Sequence, residues 1–129
     1  MKSIKRTLLK ITTLLVFPLL FSACGGEPSV SFSQDVKPIL DKNCSHCHTA
    51  GGQGQLASGF DMTTYDGLIT GGQFGKMVIP GDAEGSNMLV LMEGRADPSI
   101  NMPHGEQDPV PAKDIKLIRL WIEQGAANN

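Results

Sequence analysis

Cys44-Ser45-His46-Cys47-His48 is the stretch of this sequence best equipped for chemistry. Two cysteines with two residues between them, followed at once by histidine, form the attachment signature of a c-type haem. One helical turn beginning at Cys44 brings both sulfurs to one side of the chain, where each can form a thioether to a vinyl group of the same porphyrin. His48 then stands beside the second thioether, its imidazole available as proximal iron ligand. Two other chemistries use the same residue types. Zinc could take Cys44, Cys47 and His48 with His46 or His104, but structural zinc sites draw paired ligands from two segments, and the sequence has no second CxxC or HxxxH. A redox-active dithiol needs a βαβ setting, whereas the flanks here are glycine-rich with short helical patterns.

Candidates for the second axial position are Met62, Met77, Met88, Met92, Met102 and His104. Met88 and Met92 stand at helical spacing and read as core. Met62 and Met77 sit in predicted loops and stay open as alternatives. Met102 precedes Pro103 in a loop just before the last helix, and the proline restricts the backbone so that an extended loop can lie against a haem face. Met102 is therefore the favoured distal ligand. His104 is its rival, and His46 points away from the iron in any such turn.

Several elements must position these groups. Phe32, Val36, Ile39, Leu40 and Asn43 follow helical spacing, with Ser33 or Asp35 as cap and Pro38 near the first turn. Thr49 to Gly105 contains 12 glycines and reads as tight turns. It also holds a helical turn at Tyr65–Thr70, with Leu68 and Ile69 inward, and a short helix with Ser86 as its N-cap that Gly94 stops. The last element is an amphipathic helix of about 12 residues, from Pro111 to a stop at Gly125, with Trp121 in the core and Lys116, Arg119 and Glu123 toward solvent. The fold class is all-α. So few aromatic residues from residue 24 onward (Phe32, Phe60, Tyr65, Phe74 and Trp121) suit a core completed by porphyrin, and the apoprotein is expected to fold poorly.

The start of the chain reads as an address. Lys2, Lys5, Arg6 and Lys10 precede an apolar run from Ile11 to Leu20, and Ser22 and Ala23 precede Cys24. Phe21-Ser22-Ala23-Cys24 resembles a bacterial lipobox, with Phe where that pattern usually has Leu; an ordinary secretory cleavage nearby is the alternative. The resemblance implies that Cys24 is lipidated and becomes the mature N-terminus, and Gly25 resembles the residue after lipid cysteines sent to an outer membrane. The division expected is a leader over 1–23, a lipidated tether over 24–30 and one haem domain over 31–127. The three cysteines are then all used: Cys24 by lipid, Cys44 and Cys47 by haem. Without residues 1–23 the chain keeps all 13 acidic residues and seven of its 11 basic ones, so its formal charge moves from −2 to −6. That balance argues against nucleic acid as a partner and suits a redox protein with a basic face.

The order of helix, CxxCH, glycine-rich loops, Met-Pro and C-terminal helix resembles a small class I-type cytochrome c. Asp35-Val36-Lys37-Pro38-Ile39-Leu40, Pro80-Gly81-Asp82, Ser86 to Leu89, Asn101-Met102-Pro103 and Leu120-Trp121-Ile122-Glu123-Gln124-Gly125-Ala126 resemble, more narrowly, the planctomycete-type cytochrome c domain. The resemblance covers about residues 32–126. It implies a cytochrome c-like fold around one haem c, with His48 and Met102 as axial ligands and the terminal helices packed together. The function it implies is electron transfer between redox partners of the cell envelope, from a lipid anchor, most simply on the periplasmic face of the outer membrane. No catalytic residue is expected. The alternative is a haem enzyme or gas sensor with an open sixth position, for which His104 and Glu106 would supply distal polar groups. Donor, acceptor, potential and oligomeric state are not legible in the sequence.

Overall fold

A computed structural model describes residues 28–129; the expected leader over 1–23 and Cys24 lie outside them. A π-helical turn, Phe32–Val36, runs directly into α1, Lys37–Asn43. There follow α2 (Ser45–His48), α3 (Gln53–Ser58), α4 (Tyr65–Thr70), α5 (Asn87–Met92) and α6 (Ala112–Glu123). Among the described residues no strand forms beyond one isolated bridge between Gly72 and Gly75, in keeping with the all-α expectation. None of these helices is long and apolar enough to cross a membrane.

The opening π turn has a local cause. In an α-helix begun at Phe32, Pro38 would fall in the second turn, without an N–H and with its ring against the Gln34 carbonyl. One wide turn, closed by Val36 N–H to the Ser31 carbonyl at 3.2 Å, places Pro38 instead at the start of α1, where no donor is needed. The cap shifts accordingly. Ser31, rather than Ser33 or Asp35, is the N-cap, its Oγ accepting from Gln34 N–H at 3.2 Å. Asp35 answers by accepting from Ser31 N–H at 2.8 Å, a capping box stretched by the residue the wide turn inserts.

The core joins the two ends of the chain. Val36 and Leu40 meet Ile118, Trp121 and Ile122 of α6, with Leu68, Val78 and Leu89 from the middle. Phe32 stacks on Trp121 at 5.4 Å and 27° and meets Tyr65 edge-on at 5.2 Å and 75°. The polar ends of both partners are satisfied by the tail: Trp121 Nε1 donates to the Ala127 carbonyl at 3.0 Å and the Tyr65 hydroxyl to that of Ala126. The tail in turn grips the start of the domain. Gln124 accepts from Val30 N–H at 2.8 Å and donates to the Pro28 carbonyl at 3.0 Å, while Asn129 Oδ1 accepts from Phe32 N–H at 2.7 Å.

Two residues differ from their expected parts. Ser86 sits at the N-cap position of α5 but makes no capping bond. It is fully buried, accepting from Ile79 N–H and donating to the Asp82 carbonyl, so it ties the preceding loop together. Arg119 is not a solvated charge. Its side chain is 26% exposed and lies between Glu84 and Glu93, with Arg95 completing the group through Glu93 at 2.7 Å. Burial by itself would raise the Glu93 carboxyl, but the hydrogen bonds from Arg119 and Arg95 outweigh it and hold the group below its ordinary value. A folded-state value below the unfolded one stabilises above the carboxylate range and fades as pH falls through it. Arg119→Ala is therefore expected to cost about 1–2 kcal/mol at pH 7 in urea titrations, with the difference from wild type shrinking as pH falls through the carboxylate range and Glu93 takes up its proton.

Candidate haem site

Cys44 ends α1 and begins the turn that carries the other two groups. Its N–H still bonds the Leu40 carbonyl at 2.8 Å, while its own carbonyl accepts from Cys47 at 3.1 Å and His48 at 3.0 Å. One carbonyl thus holds the whole pentapeptide as a single turn, and α1, packed into the core through Val36 and Leu40, fixes where that turn sits. Both cysteines are free thiols, neither buried nor fully exposed. Burial, then the neighbouring Cys47, pushes the Cys44 thiol up to about 11, so it is protonated at neutral pH.

His48 is the buried member of the group, 9% exposed. Its ring lies 5.1 Å from that of Phe60. The residues after it fold back over it: Met62 N–H bonds the His48 carbonyl at 2.8 Å, and a Cβ on Gly54 of α3 would fall 2.6 Å from the ring. Gly52 is equally constrained, since a Cβ there would stand 2.4 Å from the Cys47 carbonyl oxygen. Two glycines therefore let backbone cover the turn at a distance no side chain allows. Burial is the main cause holding the His48 imidazole below its ordinary value; the Phe60 carbonyl opposes it, and charge on His104 or His46 adds to it. The ring is neutral at neutral pH, the state in which imidazole binds a metal. Its Nδ1 is buried and forms no hydrogen bond of ordinary geometry.

Met102 is half-buried in the loop that leaves α5. Its N–H bonds the Leu91 carbonyl at 3.2 Å, and Asp97 shapes the approach by accepting from both the N–H and the hydroxyl of Ser99. The loop comes close to the cysteine turn. Asn43, just before Cys44, and Pro103, just after Met102, line one cavity of ≈450 Å³ together with Lys42, Glu106, Pro109 and Pro111. His104 is exposed but near enough for its charge to be felt at His48. Of the other methionines, Met88 is in the core and Met62, Met77 and Met92 pack against it, Met62 with its N–H on the His48 carbonyl. His46 is exposed, and Cys24 lies outside the described residues.

Residues 44–106 match the family model described as planctomycete cytochrome C. Over that stretch the chain is similar to a cytochrome c-type domain. The match begins at the first cysteine of CxxCH and runs past Met102-Pro103, so it takes in Cys44, Cys47, His48 and Met102 but not Cys24. A cytochrome c domain binds haem and transfers electrons, and the residues at this turn fit that cofactor: two free thiols on one turn, and a buried neutral imidazole with an unpartnered nitrogen. No curated protein and no solved structure matches the chain.

The contribution of α3 was missing from the sequence reading. Gln53–Ser58 has two helical apolar residues at most, Leu56 and Ala57, and both face solvent. With no apolar stripe, the only sign of this helix was the pair Gly52 and Gly54, whose need for close approach shows once His48 is placed beneath them.

Proposed function

We propose that this cytochrome c domain is a membrane-anchored electron carrier holding one haem c through Cys44 and Cys47, with His48 and Met102 as its axial ligands. The observation that carries the proposal is His48: buried, neutral, covered by Gly54 and Phe60, and standing at the end of the turn that presents both thiols. Haem c held there supplies a one-electron couple whose potential a thioether ligand raises. The chain's own residues orient and enclose. Cys44 and Cys47 fix the plane of attachment, Gly52 and Gly54 bring backbone over His48 to hold its ring, and the Asp97–Ser99 turn with the Met102–Leu91 hydrogen bond sets the height of the Met102 loop. None of them needs to act as acid, base or nucleophile. His104 and Glu106, on which a peroxide- or gas-handling site would draw, are exposed rather than enclosed, so the carrier is the preferred reading.

The optical spectrum of the haem-loaded protein beside its Met102→Ala variant tests the ligation. We expect a low-spin wild type with a weak sulfur-to-iron charge-transfer band, and a high-spin variant that has lost the band and binds carbon monoxide readily when reduced. A high-spin wild type indifferent to the substitution would overturn Met102 and favour the enzyme or sensor. The anchor is tested separately: Cys24→Ser should move the protein from the membrane fraction to the soluble one with its spectrum unchanged.

A further inference from the structure

No Asp, Glu, Lys or Arg occurs from residue 43 to 60, nor from 67 to 75, in a chain that is 19% charged overall. The fold brings these two runs together. Gln73 of the 71–75 turn bonds α3 twice, through N–H to the Ser58 carbonyl at 2.9 Å and through Nε2 to that of Ala57 at 2.6 Å. A Cβ on Gly72 would stand 2.3 Å from the same Ser58 oxygen, so the turn lies directly on the helix. Of the three large apolar side chains most exposed among the described residues, two belong to this surface: Leu56 at 74% and Phe74 at 78%. The third, Ile100, is two residues before Met102. The same helix that shows Leu56 to solvent presses Gly54 onto the His48 ring.

Such a surface has a cost in water, and neither side chain contributes to the core that the described residues form. Its size limits what covers it. Leu56 and Phe74 together expose on the order of 300 Å², well short of the roughly 800 Å² per partner of a stable interface and in the range of brief redox encounters. Its neutrality limits the partner further. A chain of net charge −6 without its leader repels other acidic surfaces and attracts basic ones everywhere but here, so a face without charges selects a partner that is itself uncharged at its centre.

We infer that the face formed by α3 and the 71–75 turn, with Leu56 and Phe74 as anchors and Lys76 at its edge, is the docking surface for a redox protein that presents an uncharged apolar face. This rests on the electron-carrier reading. It differs from the basic partner that overall charge suggests, and it places the encounter on the His48 side of the domain, one helix away from the proximal ligand.

Stopped-flow electron exchange between the haem-loaded full-length protein and two probes tests it: a blue-copper protein with an uncharged apolar docking face, and a lysine-ringed mitochondrial cytochrome c. With the blue-copper probe, the second-order rate should change by less than about twofold between low and high salt, and Leu56→Ser/Phe74→Ser should slow it about tenfold with spectrum and melting temperature unchanged. Rates untouched by the double substitution, or a clear preference for the lysine-ringed probe that salt abolishes, would overturn the assignment. So would a shifted visible spectrum in the variant, which would put these side chains on the haem itself, or a dimer in sedimentation that the substitutions dissolve, which would give the face to a second copy. A wild type that lacks a low-spin spectrum overturns the carrier reading and this surface with it; a proper spectrum with unaltered rates overturns the surface alone.

Discussion

Cys44→Ser/Cys47→Ser is expected to abolish covalent pigment: haem staining on a denaturing gel should vanish and the melting transition should fall sharply or broaden. The geometry supports both halves of that result. The two thiols lie on a turn held by a single carbonyl, that of Cys44, and nothing else in the described residues occupies them. Serine keeps the turn but cannot form the thioether. The effect on folding follows from the size of the core. A porphyrin covering a few hundred Å² of apolar surface contributes about 5–10 kcal/mol, comparable to the whole stability of an ordinary domain. Stain retained on the denaturing gel would show that these cysteines are not the attachment points.

The second large effect concerns Trp121. It is completely buried, stacked on Phe32, and its indole N–H is used by the Ala127 carbonyl. Trp121→Ala should cost about 3–5 kcal/mol through the cavity it leaves between the first and last helices. Trp121→Phe keeps the stacking and loses the donor, so about 1–2 kcal/mol is expected. Urea titration of the haem-loaded proteins gives both numbers. Neither substitution should alter the visible spectrum of the folded protein, because Trp121 belongs to the junction of the chain ends and not to the His48 turn. An equal loss for Phe and Ala would mean that the hydrogen bond, rather than packing, carries the junction.

These two results concern parts of the molecule that were legible from residue types alone. A CxxCH turn is chemistry written in sequence-adjacent positions, and α6 announces itself because Ile115, Ile118, Trp121 and Ile122 recur at helical spacing and do face the core. The Tyr65–Thr70 and Asn87–Met92 helices were found for the same reason. What escaped were arrangements decided by distant neighbours. The first cap moved to Ser31 because a proline six residues into the helix forced a wide turn. Arg119 reads as a solvent residue on a helical wheel, yet Glu84 and Glu93 arrive from other segments to enclose it. Short α3 has no apolar face to betray it, since its packing surface is glycine backbone laid over His48. Local patterns report what a segment does to itself; these three depend on what another segment does to it.

The grip of the tail on the start of the domain also makes the described chain nearly a closed ring. Asn129 and Gln124 hold residues 28 to 33, so the two ends leave from a single spot. A short linker could join them, and the chain could be reopened in the exposed 104–108 stretch, giving a circular permutant with the same core. Met102 would then close the new chain, and the Cys44–His48 turn would stay internal. By the same topology, modules fused at either end would share one mooring point, neighbours to each other whichever terminus carried them.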